Sequence, residues 1–176
     1  MNRLMKILSL LIPVIGVSVT GYAQVSPPLL ATGQVFAEII PVFTASETSQ
    51  MNFGRFSPGP QGGEITITPQ STVTLVGSIF KGSGVVTAAS FYVTGESNAT
   101  YSISLPSSPV ILTNISNART MKITTWSSDP QAGIATGYLH NGYQTVYIGA
   151  TLKVGTLEDN PVGLYTGSFT VTFEFN

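Results

Sequence analysis

The sequence predicts an all-β protein, an antiparallel sandwich or barrel of eight or nine short strands. Three observations carry that expectation. Apolar residues recur with a period of two in one segment after another, and beyond residue 23 no stretch keeps a convincing 3.6-residue apolar period. Gly, Pro, Asn and Ser clusters separate these segments at short intervals, which is turn chemistry. Only 9% of residues are charged while Thr, Ser, Gly, Val and Ile abound, so the wet faces are built from hydroxyls rather than ions. A chain of 176 residues is long enough for one domain with a real core.

Residues 1–23 read as a cleaved secretory signal peptide. Arg3 and Lys6 open it, residues 7–19 form an apolar run interrupted by Pro13, and Gly21-Tyr22-Ala23 is a small-x-small exit before Gln24. The run falls short of the ~20 residues an anchor needs to cross a bilayer. The expected location is therefore exported: periplasm, outer surface or extracellular space, with no integral membrane span once the signal is removed. Residues 24–30 form a spacer containing Pro27 and Pro28, and residues 31–176 form a single sandwich domain.

Within that domain, residues 29–40 place Leu29, Ala31, Gly33, Val35, Ala37 and Ile39 on one side of a strand, with Gln34 and Glu38 opposite, until Pro41 stops it. Residues 57–63 alternate Pro and Gly with polar residues and read as a loop. Strands are expected at 64–68 with Ile65 and Ile67 inward, at 72–80 with Val73, Leu75 and Ile79 inward, and at 85–94 with Ala89, Phe91 and Val93 inward. Others are expected at 100–105 around Tyr101, Ile103 and Leu105, at 120–127 around Met121 and Ile123, and at 143–154, which gathers Val146, Ile148, Ala150, Leu152 and Val154. The longest alternation is residues 165–176, YTGSFTVTFEFN, with Tyr165, Phe169, Val171, Phe173 and Phe175 on its apolar side. Full burial of those five side chains would contribute on the order of 7–15 kcal/mol before entropy is subtracted.

Chemistry is scarce. The chain has no cysteine, which excludes disulfides, thiolate metal sites and a cysteine nucleophile. His140 is the single histidine and lies in a loop-like GYLHNGYQ, without a Gly-x-Ser-x-Gly elbow anywhere. Glu158-Asp159-Asn160 lacks the spacing of a calcium loop. Neither a catalytic constellation nor a cofactor is implied, and the expectation is a protein that is not an enzyme. Loss of Arg3 and Lys6 with the signal leaves five basic residues against eight acidic, a formal charge of −3, with no basic cluster for nucleic acid.

Two features suggest binding. Trp126 shares the polar face of its strand with Lys122 and Thr124, so strict alternation points it to solvent, where with Tyr138 it would stack on a sugar ring or a partner; one bulge would turn it inward. The apolar-alternating segments near the two ends, with Val35, Ala37 and Ile39 in one and Phe169, Val171, Phe173 and Phe175 in the other, are candidates for strand exchange between subunits.

From about Ala31 onward the chain resembles a family of bacterial exported proteins known as the domain of unknown function 4402. The resemblance rests on Asn52-Phe53-Gly54, on Ala88-Ala89-Ser90-Phe91 with Val93-Thr94-Gly95, on Tyr101-Ser102-Ile103-Ser104-Leu105-Pro106, on Tyr147-Ile148-Gly149-Ala150-Thr151-Leu152, and on Gly163 with Tyr165 through Thr172. It implies an immunoglobulin-like sandwich of the pilin and adhesin type, similar also to spore-coat-U proteins, in a Gram-negative bacterium. It carries no catalytic residues over. The first reading is thus a surface structural or adhesive subunit whose partners are copies of itself or other surface subunits. The alternative is an extracellular module binding a glycan or another ligand. A small outer-membrane barrel is a third reading, weighed down by strands that are short and broken by Gly and Pro.

Overall fold

The computed structural model describes residues 28–176, so the expected signal peptide lies outside the described residues. The chain divides into two units, residues 1–37 and 38–176. In the first, the described residues 28–37 belong to no strand and are exposed, Val35 to 94%.

The second unit is all-β, with no helix among the described residues. It comprises β1 (Thr44–Ser49), β2 (Phe56–Ile67), β3 (Val73–Lys81), β4 (Ala89–Thr94), β5 (Thr100–Ser104), β6 (Val110–Asn114), β7 (Thr120–Asp129), β8 (Gly133–Tyr138), β9 (Tyr143–Val154), β10 (Tyr165–Thr166) and β11 (Thr172–Phe175). Eight of these form one antiparallel sheet in which β1-β4-β9-β7-β6-β10 are neighbours and the β2–β3 hairpin also joins β9. The second sheet has three strands in the order β11-β5-β8. The arrangement is sandwich-like, as the alternation predicts, with eleven strands rather than eight or nine.

The organising strand is β9. Its first half pairs with β4, from Thr94 opposite Tyr143 to Ala89 opposite Ile148, and its second half with β2, from Ile67 opposite Ala150 to Gly63 opposite Val154. Its other edge pairs with β7, from Lys153 opposite Lys122 to Tyr147 opposite Asp129. A strand so placed must bury one face completely, and Val146, Ile148, Ala150, Leu152 and Val154 are all buried.

Two apolar clusters fill the interior. One gathers Ile65, Ile79, Met121, Ile123, Ala150, Leu152 and Val154; the other gathers Ala89, Val93, Tyr101, Ile103, Leu139, Val146 and Ile148. Half-buried Met51 and Trp126 pack against both and mark the seam between them.

Several expectations change. Residues 29–40 are not a strand: Leu29, Val35 and Ile39 are almost fully exposed, because no ladder among the described residues takes up their backbone. The Pro/Gly stretch 57–63 is part of β2 instead of a loop. The register against β3 jumps between Pro58 and Gly63, and Gly62 takes a φ of 64° that its missing Cβ permits. The last alternation does not run as one strand. Residues 165–166 pair with β6, residues 167–171 belong to no ladder, and residues 172–175 pair with β5 in the other sheet. Its apolar side chains are accordingly half-buried, Phe175 even exposed to 41%, and their burial contributes less than full coverage would.

Candidate assembly surface

The seam is where the chain's last segment meets the core. Phe169, Val171 and Phe173 point inward by period two and pack against the cluster around Tyr101, yet all three stay half-buried. Phe169 meets Phe91 edge-on at 6.2 Å between centroids and Trp126 at 4.7 Å; Phe173 lies 5.8 Å from Phe91 and 6.1 Å from Tyr101. Phe175 continues the row against Phe43 at 5.8 Å. These rings form a row that stays partly open to water at the margin of the sandwich.

Backbone groups agree with that picture. No backbone–backbone hydrogen bond to a described residue is made by residues 167–171, and among the described strands β11 pairs with β5 alone. An unpaired run of N–H and C=O groups beside an apolar face is a template for strand addition.

Trp126 reaches the seam through a bulge. The β7–β9 register shifts between Ile123 and Thr125, so Thr124 is the extra residue and Trp126, opposite Ala150, turns to the inner side instead of the polar face that strict alternation assigns it. Its Nε1 and the Oγ of Ser128, two residues along the same strand, are buried without a hydrogen-bond partner among the described residues. Tyr138 sits in other surroundings: its hydroxyl bonds Asn98 Oδ1 at 3.0 Å, and its ring stands edge-on to His140 at 4.4 Å. The two residues expected to stack on a ligand are therefore differently employed.

Val35, Ala37 and Ile39 are exposed, Ile39 to 97%, in a segment that makes no ladder among the described residues. Phe91 is inward as its alternation predicts, whereas Phe43 and the stacked exposed pair Tyr92–Tyr143, with centroids 5.8 Å apart, carry no expectation from the sequence. A signal existed for the tyrosines: Tyr143 and Tyr147 occupy the side of β9 opposite its buried residues.

Among the described residues no group of three or more His, Asp or Glu side chains converges on a metal-sized site. No helix there is long and apolar enough to cross a membrane, which leaves strand-spanning structures unaddressed. One open surface concavity, about 700 Å³, is bordered by Arg119, Lys122 and Lys153 together with Glu64 and Asp159, and Lys153 reaches Glu64 at 3.5 Å.

Part of the seam comes from segments that the resemblance singled out: Phe91 ends the second of them and Phe169 and Val171 lie in the last, while Trp126 and Phe173 lie outside them. A family model described as Domain of unknown function (DUF4402) matches residues 43–175. The chain belongs to this family. The DUF4402 match takes in all eleven strands and begins at Phe43, so Val35, Ala37 and Ile39 lie ahead of the family domain. No curated protein and no solved structure matches the chain.

Proposed function

We propose that this DUF4402 protein is an exported, non-enzymatic structural subunit of the cell surface, pilin-like or adhesin-like, that joins copies of itself or other surface subunits by β-strand pairing. One observation carries the reading: an apolar-alternating segment with Val35, Ala37 and Ile39 lies exposed, in no ladder among the described residues, ahead of the sandwich domain. Solvent exposure of Val35, Phe36 and Ile39 in one short stretch is costly for a chain that acts alone. Export is supported by Arg3, Lys6 and the apolar run that follows, and is tested by finding Gln24 at the N-terminus of the protein recovered from the periplasm or medium.

Assembly is tested by light scattering of the chain beginning at Gln24 at rising concentration, beside Ile39→Asp. Assemblies that grow with concentration and are lost in the variant, while its circular dichroism is unchanged, are the expected result. A single monomeric mass at every concentration for both proteins defeats the reading.

A second reading, glycan binding, is favoured by Tyr92, Tyr143 and Tyr147, which are exposed on the outer face of the large sheet. Tyrosine fluorescence that responds to a soluble glycan, and stops responding in Tyr143→Ala, would move the assignment there.

A further inference from the structure

We infer that the free edge formed by residues 167–171 and β11 accepts residues 33–40 of a second copy of this chain as an added strand, with Val35, Ala37 and Ile39 seated over the aromatic seam. This rests on the strand-pairing reading above and assigns its acceptor.

The sheet edges are not equal. On β1 the ladder is broken by a bulge between Glu47 and Ser49, and on β8 Ala135 takes a φ of 54° beside a register shift. Only two residues make up β10, and in β3 Gly77 has a φ of 83° opposite the irregularity of β2. Each of these is a device that discourages an incoming strand. The run 167–175 has none: no proline, no positive φ, and a single charge at Glu174.

Beneath that edge the core is unfinished. The inward row Phe169, Val171 and Phe173 is half-buried, and so are Phe91 and Trp126 against which it packs. Trp126 Nε1 is buried there without an acceptor among the described residues, and an added backbone brings carbonyl groups to the same seam. The backbone groups of 167–171, which pair with no described residue, are of the kind that an added strand satisfies.

Residues 33–40 match in length, spacing and charge. Eight residues of strand span ~27 Å and the nine of 167–175 span ~30 Å. Their apolar positions repeat every second residue, as Phe169, Val171 and Phe173 do. With Ala37 beside Val171, the three apolar residues of the donor lie beside the three of the acceptor whether the strands run parallel or antiparallel. In that register Glu38 faces Thr172 or Thr170, never Glu174, so the only acid in each segment avoids the other.

The absence of cysteine makes the assignment directly readable. Single-cysteine variants of the chain beginning at Gln24 are mixed in pairs under mild oxidation and heterodimers are scored on a non-reducing gel. Phe36→Cys is combined with Thr170→Cys, with Thr172→Cys, and with Ile134→Cys on β8, all at exposed positions. A heterodimer with Thr170→Cys denotes a parallel strand, one with Thr172→Cys an antiparallel strand, and either supports the proposal provided Ile134→Cys stays unlinked. The expected preference is at least tenfold over the Ile134 pairing. Preferential linkage to Ile134→Cys overturns the acceptor assignment while leaving strand pairing intact. No linkage in any pair, from protein that light scattering shows to be monomeric, overturns both.

Discussion

The indole of Trp126 rests on the ring of Phe169 with centroids 4.7 Å apart and planes 34° from parallel, joining β7 of the large sheet to the stretch where the chain crosses to the small one. That contact is the tie across the seam, since Phe169 also touches Phe91.

Phe169→Ala removes it. A fully buried Phe loses ~3–5 kcal/mol on truncation, and Phe169 is half-buried, so the cost should be about 1.5–2.5 kcal/mol. Urea unfolding followed by fluorescence reads this cleanly, because Trp126 is the only tryptophan. The emission of the folded variant should also shift to longer wavelength as the indole gains water. An unchanged midpoint and spectrum would mean that the stacking is incidental.

Gly137 is a different kind of constraint. It is buried on β8 against the ring of Tyr101, so that a Cβ built on it would collide with the hydroxyl end of that ring. Tyr101 is fully buried and cannot withdraw without dislodging Phe43 and Phe173. Gly137→Ala should therefore cost about 2–3 kcal/mol, in the range of overpacked cores. Gly33→Ala, with open space around its Cβ, should leave the unfolding midpoint where it was. Equal midpoints for the two variants would refute this account of the β8–β5 contact.

These positions also show where the sequence was legible. Strands β9, β7 and β5 announce themselves because their inward residues are large and fully buried, so period two is unbroken from Val146 to Val154 and from Met121 to Ile123. In β8 the inward residue at the core is Gly137, a glycine chosen for the ring above it, and the apolar signal vanishes there. Strand β1 reads TASETS and carries no apolar residue larger than Ala45, since its pairing with β4 rests on backbone and hydroxyl contacts such as Thr44 with Thr94 at 2.8 Å. The break at 167–171 is invisible because alternation continues through the crossing between sheets. The inward turn of Trp126 depends on one extra residue in β7, which period alone does not encode.

Asn160 should prove essential although it lies in a turn. It is buried, its Oδ1 accepts from Gly155 N at 2.6 Å, and its Nδ2 donates to Thr120 O at 2.8 Å, fastening the end of β9 to the start of β7. Asn160→Ala leaves both backbone groups unpaired and should cost ~1–3 kcal/mol. Asn160→Asp keeps the first bond and turns an oxygen on Thr120 O, so it should be destabilised as well. Asp159→Ala, which loses only exposed contacts to Thr156, should cost less than either in the same denaturant series.

Alkaline pH should loosen the fold through Tyr101. Its hydroxyl donates to Gln144 Oε1 at 2.7 Å, an oxygen that also accepts from Tyr138 N at 2.8 Å. A phenolate there would be stripped of water and would face an acceptor, and burial pushes the phenol from 10.0 up to about 12. The folded chain thus holds this proton more tightly than the unfolded chain does. Its contribution is fully present below pH ~10 and is lost as pH rises through ~12, a decline of about 2–3 kcal/mol in total. Tyr101→Phe should flatten that part of the stability profile while costing ~1 kcal/mol at neutral pH, where Gln144 loses one of its two donors. Absorbance of tyrosinate at 295 nm gives an independent reading: the folded protein should show a step near pH 12 that Tyr101→Phe lacks. If the variant keeps both the late step and the steep alkaline slope, another group is responsible and the burial of Tyr101 has no such consequence.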